Sequence, residues 1–272
     1  MRGGDSHYYR EHIVYRPTDA ETIAQHCRSA GKASNRRLLA MVRNDGLEKR
    51  SLDIGSGFGA FVHFALSQGI DAYGIDFNDE QVHAGQTILG LGDRLFCGDV
   101  KELRGKIGSE EQFDLLTLFE VIEHVENPLD LIRNAADLLK TGGLLVLSCP
   151  NESRWQPTGR IFVDYPPHHL TRWRPDTLRN FLESQGFKHE RTEIETSLRD
   201  LFWVVYVNRS ARRKMDARKD HPGGQDVLES SYVRKAKMTV FDLMKIFCYP
   251  FDLILKFSGI GTMGMRIIVK KI

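Results

Sequence analysis

The chain of 272 residues is poor in cysteine, with only 4, and holds just 9 prolines and 3 tryptophans. Cys27, Cys97, Cys149 and Cys248 make no CxxC pair. That excludes a zinc ribbon and argues against a disulfide framework. They read as thiols of a reducing compartment, so a cytoplasmic location is expected. Charge of one sign is also lacking: 38 Lys and Arg oppose 36 Asp and Glu, a net +2. Such a balance neither demands nor excludes nucleic acid, and a nucleic-acid partner is disfavoured. No uncharged run reaches the ~20 residues of a membrane span. The polar opening MRGGDSHYYREHIVYRP has no apolar centre of the kind a secretory signal needs. Internal repeats are missing too. What remains, 41% hydrophobic and 27% charged, is ordinary globular composition.

What is present is an alternation. Short apolar runs at 51–54, 71–76, 93–100, 112–120 and 144–151 are separated by segments with helical spacing. In the segment NPLDLIRNAADLLKTGG, Leu129, Ile132, Ala136 and Leu139 recur on one face, and Gly142 and Gly143 are expected to cap its end. Strands alternating with helices predict an α/β fold: a Rossmann-like, doubly wound and mostly parallel sheet. Residues 188–196 supply a sixth strand, and the closing GMRIIVKKI a seventh. Residues 1–34 are read as an N-terminal cap segment and 35–272 as the main domain. Residues 197–259 break the alternation and are read as a helical insertion or lid before the last strand.

The strongest local signal is Asp53-Ile54-Gly55-Ser56-Gly57-Phe58-Gly59 between the first strand and its helix. Glycines let the chain turn sharply and let a ligand lie against the backbone, and the next helix aims free N–H groups at it. Gly55, Gly57 and Ala60 also satisfy the dinucleotide fingerprint, so a nicotinamide oxidoreductase competes at this point. The acids discriminate. Asp76 ends the second strand, where a carboxylate accepts ribose hydroxyls in either fold. Asp53 suits a ligand bearing an ammonium group, and Asp99, in Cys97-Gly98-Asp99-Val100, suits an adenine amino group.

Taken together, segments 53–61, 73–77, 98–100, 113–128 and 142–151 resemble the successive motifs of class I S-adenosylmethionine-dependent methyltransferases. The closing strand resembles that family's seventh, which enters the sheet antiparallel. The resemblance implies S-adenosyl-L-methionine as cofactor. It implies that Gly55, Ser56, Gly57 and Gly59 line it, that Asp76 holds the ribose and that Asp99 with Val100 reads the adenine. Phe77 would pack on the adenine ring, while Asp53, Phe119 and Glu120 complete the cradle.

Two further clusters follow the fourth and fifth strands. Phe119-Glu120-Val121-Ile122-Glu123-His124 is similar to the ubiquinone-pathway O-methyltransferases. It is also similar to the E-x-x-E-H motif of small-RNA 2′-O-methyltransferases, in which that motif and a later histidine hold a divalent metal. Glu120, Glu123, His124 and His169 would be such a set here, beside the plainer reading in which they line an acceptor pocket. The second cluster, Asp164-Tyr165-Pro166-Pro167-His168-His169, resembles a block frequent in bacterial methyltransferases acting on small molecules or glycans. An imidazole is the natural base for a hydroxyl acceptor, and His124, His168 and His169 are the candidates.

The insertion carries nine Lys and Arg against four Asp and Glu over 208–237, then an apolar stretch at 238–257. A lid, a membrane or lipid contact and an oligomer contact all fit that pattern, so peripheral membrane attachment stays open and the oligomeric state unassigned. The sequence lacks the Asn/Asp-Pro-Pro-Tyr signature of base-amino methyltransferases after strand four, which favours an oxygen acceptor. The leading expectation is methyl transfer to a hydroxyl of a small molecule or glycan. Alternatives are a quinone or lipid acceptor at a membrane, a metal-assisted RNA 2′-hydroxyl, and a cofactor-binding protein without catalysis.

Overall fold

The computed structural model describes residues 20–43, 49–103, 112–155, 164–166, 168–198, 248, 251–252, 261 and 263–272. Two helices come first, α1 (Ala20–Ala30) and α2 (Ala33–Val42). The core is then β1 (Arg50–Ile54), α3 (Ala60–Ser67), β2 (Asp71–Asp76), α4 (Asp79–Ile88) and β3 (Leu95–Cys97). It continues with β4 (Phe113–Phe119), α5 (Pro128–Leu138), β5 (Leu139–Pro150), α6 (Pro175–Glu183), β6 (Phe187–Ile194) and β7 (Gly264–Lys271). The seven strands form one sheet in the order β3-β2-β1-β4-β5-β7-β6. All neighbours are parallel except those of β7, which is antiparallel to β5 and to β6. The doubly wound sheet with one reversed strand is as the sequence leads one to expect.

Alternation along the strands builds a core on each face. Leu145, Leu147 and Cys149 of β5, with Met265, Ile267 and Val269 of β7, meet Ile132 and Ala135 of α5 and Leu178 and Leu182 of α6. Val146 and Ile268 face the other way, against Leu38 and Leu39 of α2, Phe61 and Val62 of α3 and Val82 of α4. Each such side chain, fully buried, contributes about 1.5–3 kcal/mol.

Helix starts follow local chemistry. The Asn78 side chain accepts from the Gln81 N–H at 3.1 Å and opens α4, with Asp79 and Glu80 in its first turn. Asn127 does the same for Asp130 at α5, behind which Pro128 fits the first turn.

The expected glycine cap of α5 is not what ends it. The helix stops at Leu138, and Leu139 is already extended and paired with Phe113 of β4. Gly142, at φ +80, lies inside β5, where the register with β4 shifts. Strand pairing at the buried Leu139 wins over the helical pattern two residues before the glycines are reached. The N-terminal boundary lies among helices rather than between domains: α1 packs on α3, and α2 begins at Ala33. Of the expected insertion only 197–198, 248 and 251–252 are among the described residues, so its helical character lies outside them. No helix of the described residues is long and apolar enough to cross a membrane.

Candidate active site

β1 and β4 are neighbours, while β2 and β3 run off to one side and β5 to the other. The order reverses there, and the crevice at the carboxyl ends of the strands is where such sheets bind ligands. The glycine turn fills that point. Gly55 and Ser56 both donate to the Ile75 carbonyl, at 2.8 and 3.1 Å, and Gly59 donates to Ser56 at 2.9 Å. Gly55 has φ +75, and a Cβ there would lie 2.4 Å from Val121 Cγ2. Only glycine is accommodated on both counts. Helix α4 presses on the turn from outside: a Cβ on Gly85 would come within 2.2 Å of the Phe58 carbonyl oxygen. No sequence motif pointed to Gly85.

Asp76 ties this cradle together. Its Oδ2 accepts from the Gly57 N–H at 2.8 Å and its Oδ1 from the Asn78 N–H at 2.8 Å. Burial raises its carboxyl above the usual range, against the pull of those bonds. A carboxylate offers about four acceptor positions, so room remains for a ligand hydroxyl beside these backbone donors. Asp53 is buried at the end of β1 and accepts from Thr117 Oγ1 of the paired strand β4 at 2.6 Å. Burial first, offset by that bond, pushes Asp53 up to about 7.

The other cradle residues divide. Phe77 is half-buried and Asp99 exposed; Asp99 also accepts from the Lys101 N–H at 2.9 Å. Val100 is mostly committed to the core. The Ser56 hydroxyl turns inward, buried without a partner and packed where Gly74 lacks a side chain, so only the Ser56 backbone faces outward.

Phe119 and Glu120 end β4. Glu120 has φ 56, the sole left-handed non-glycine among the described residues. Such strain costs of order 1–3 kcal/mol and concentrates at functional sites. Its N–H donates to the Ser148 carbonyl at 2.9 Å, and its Oε1 accepts from Ser148 Oγ at 2.9 Å. Glu120 is open to solvent yet hemmed in by protein, as on the floor of a concavity, and its carboxyl is raised by desolvation.

Glu123 is 2% exposed, and neither carboxyl oxygen has a donor partner. Burial, then the charge of Glu120, raises its carboxyl well above the ordinary value. The segment from Glu120 to His124 is a tight bend: Glu120 is left-handed and His124 N–H closes on the Val121 carbonyl at 2.9 Å.

The histidine block is stitched onto this bend. Leu170 and Thr171 N–H donate to the Glu123 carbonyl at 2.8 and 3.1 Å, and Thr171 Oγ1 donates to Ile122 O at 3.1 Å. His124 Nδ1 donates to the His168 carbonyl at 2.7 Å. That fixes the tautomer with the lone pair on Nε2, which lies 3.8 Å from Glu123 Oε1. Burial holds His124 below its ordinary value. His169 stands edge-on to His124 at 5.0 Å between ring centres. Burial, with His124 beside it, pushes His169 down to about 4, so it is neutral. His169 Nδ1 lies 3.8 Å from Asp164, which is gripped by Arg154 at 2.5 and 2.6 Å. Donor atoms of Glu123, His124 and His169 lie within 4.8 Å of one another. Glu120 falls outside that group, and His168 enters the site through its carbonyl.

A methyltransferase-domain family matches residues 20–192. The chain belongs to that family. Relatives of the chain include the ubiquinone biosynthesis O-methyltransferase of Roseobacter denitrificans, 33% identical over 131 residues, 46% of this chain and 50% of the relative. The Coxiella burnetii protein of that name is 30% identical over 136 residues, 46% of this chain and 56% of the relative. The chain thus spans about half the length of the curated relatives it matches. Among solved structures it is similar to a SAM-dependent methyltransferase from Archaeoglobus fulgidus, with a TM-score of 0.56 at 20% identity, covering 93% of this chain and all of that one. It is also similar to phosphoethanolamine N-methyltransferase 2 of Haemonchus contortus in complex with S-adenosyl-L-methionine, with a TM-score of 0.54 at 15% identity, covering 97% and 60%. These structural likenesses show the fold.

Three contributors to the site carry no sequence motif. Ser148 and Thr117, each on a neighbouring strand, hold Glu120 and Asp53. Arg266 of β7 is buried, donates to Asn35 Oδ1 of α2 at 2.8 Å and lies over the Phe119 ring at 5.0 Å. Its signal was a lone arginine at an inward position of an apolar strand.

Proposed function

We propose that the protein catalyses methyl transfer from S-adenosyl-L-methionine to a hydroxyl of a small-molecule or glycan acceptor. The glycine turn and Asp76 would hold the cofactor's ribose side, the exposed carboxylate of Asp99 its adenine amino group and Asp53 its ammonium. When bound, the cofactor supplies an electrophilic methyl on a sulfonium, so no acid is needed for the leaving group. The chain's work is to orient the acceptor, exclude water and take one proton.

The observation that carries the oxygen-acceptor reading is the His124 ring, locked by the His168 carbonyl so that its lone pair lies on Nε2. That nitrogen receives the proton the acceptor hydroxyl gives up. The Glu123 carboxyl, 3.8 Å from that nitrogen, stands beside the imidazolium so formed. The relatives' names, which specify O-methylation, agree with an oxygen acceptor. The test is transfer of an isotope-labelled methyl to a panel of phenols and glycosides. Label in an ether product, lost with His124→Gln, supports the reading; label only in amines overturns it.

A second reading rests on the convergence of Glu123, His124 and His169. Those residue types suit a divalent cation, and the bonds to His168 and towards Asp164 are the outer partners such ligands use. A cation there would lower the acceptor hydroxyl pKa. Activity abolished by a chelator and restored by Mn²⁺ would favour it over the histidine base.

A further inference from the structure

Beyond the histidine cluster, an open cleft of about 980 Å³ runs between the start of α6, the outer strand β6 and the loop after β5. It is in the size range of ligand sites, ~300–1,000 Å³. Its makeup is unusual for such a site. One large aromatic side chain, Trp155, stands on the wall and is 50% exposed. Around it are Asn151, Asp176, Arg179, His189 and Thr192. Trp155 is held by its backbone: its N–H donates to the Gly261 carbonyl at 2.8 Å, while its indole has no hydrogen-bond partner among the described residues. Asn151 is anchored likewise, its Oδ1 accepting from the Ser153 N–H at 2.8 Å. His189 Nε2 is paired with Thr192 Oγ1 at 2.8 Å, which orients the imidazole.

Building on the methyl-transfer reading, we propose that this cleft binds a pyranose unit of a glycan or glycoside acceptor. A pyranose has a C–H-rich face that lies flat on an indole, and a rim of hydroxyls that both donate and accept. The cleft offers that pairing: one exposed indole, and planar polar groups of both senses. Asp176 accepts, while Arg179 and His189 donate. A polyprenyl or other lipid tail would cover the Asp176 and Arg179 side chains of this cleft without satisfying either. A simple anion would need unopposed cations, whereas Asp176 sits among these side chains and Arg154 is already gripped by Asp164. Arg154 lines both this cleft and the small crevice that contains Glu123 and His169, so it stands between the sugar site and the histidine cluster.

The test is retention of the full-length protein on an immobilised-glycan array, read without cofactor and compared with Trp155→Ala and Arg179→Ala. A parallel arm uses saturation-transfer NMR with 3,4-dihydroxybenzoate as a phenolic probe. Expected is retention on a subset of glycans, reduced about tenfold by Trp155→Ala, the size of a lost ring contact with its buried area. Arg179→Ala should shift which glycans are retained. Neither variant should change S-adenosylhomocysteine affinity, and because Trp155 is half in solvent, folding should be intact by circular dichroism. A blank array, glycan retention indifferent to Trp155, or Trp155-dependent binding of the phenol alone would overturn the proposal. Failure of the wild type to bind S-adenosylhomocysteine would overturn the methyl-transfer reading instead, and leaves the array result to stand by itself.

Discussion

The two halves of the sheet do different work with different materials. On the β3-β2-β1-β4 side, all strands are parallel and the site is made mainly of backbone: three left-handed glycines, helix α4 pressed against them, and Asp76 accepting two N–H groups. Beyond β4, towards β5-β7-β6 where one strand is reversed, the site is made of side chains brought from far apart in sequence: Glu123 and His124 of the bend after β4, with His169, Asp164 and Arg154. A site made of backbone tolerates no side chain where glycine stands. A site made of side chains tolerates the fold but not the loss of a particular ring or carboxyl. Cofactor handling and acceptor chemistry are therefore expected to separate under mutation.

The largest effect should come from the side-chain half. His124→Gln removes the proton acceptor while keeping polarity, and kcat should fall by about 10²–10⁴-fold. Cofactor affinity should stay the same by calorimetry. A loss of affinity equal to the loss of rate would erase the distinction between the halves. Next is the backbone half. Gly55→Val meets both a left-handed φ and Val121, so cofactor affinity should drop roughly 100-fold, at about 1.4 kcal/mol per factor of ten. Methyl transfer at saturating cofactor should fall far less.

A smaller effect sharpens the comparison through pH. The Asp53 carboxyl is raised to about 7 in the fold by burial, against an ordinary 3.8. Between those values the folded protein holds a proton the unfolded chain has lost, so stability contributed by Asp53 is present at low pH. It is lost as pH rises through about 7. The melting temperature of ligand-free protein should therefore fall between pH 5 and pH 7.5 by less in Asp53→Asn than in the wild type. An identical fall in both would remove Asp53 as a source. Smallest is Asn35→Ala, which takes the partner from buried Arg266 and should cost about 1–3 kcal/mol in urea unfolding, with kcat unchanged.

The same contrast explains what could be read from the sequence. The cradle was legible because its parts are local: a glycine turn between a strand and a helix, and an acid at the end of the next strand. Strand alternation likewise pointed to the sheet, and the resemblance of the closing strand to the family's seventh to its reversal. Legibility failed where a tertiary contact overrode a local signal. Gly142 and Gly143 looked like a helix cap, but Leu139 had already paired with β4. Ser56 looked like a cofactor ligand, yet its hydroxyl packs inward against Gly74. Glu120 was expected in one cluster with Glu123, His124 and His169, but its left-handed backbone points it to Ser148. The choice among three histidines needed the His168 carbonyl, 44 residues away from His124. The sugar-sized cleft joins the start of α6, β6 and the loop after β5, and no sequence window contains it.

The most direct test of the central claim is a calorimetric titration of the protein with S-adenosyl-L-methionine and, separately, with NAD⁺, alongside Asp76→Ala. The account predicts micromolar binding of the first, its loss in the variant and no binding of NAD⁺. Binding of NAD⁺ alone, or of neither ligand, would contradict it.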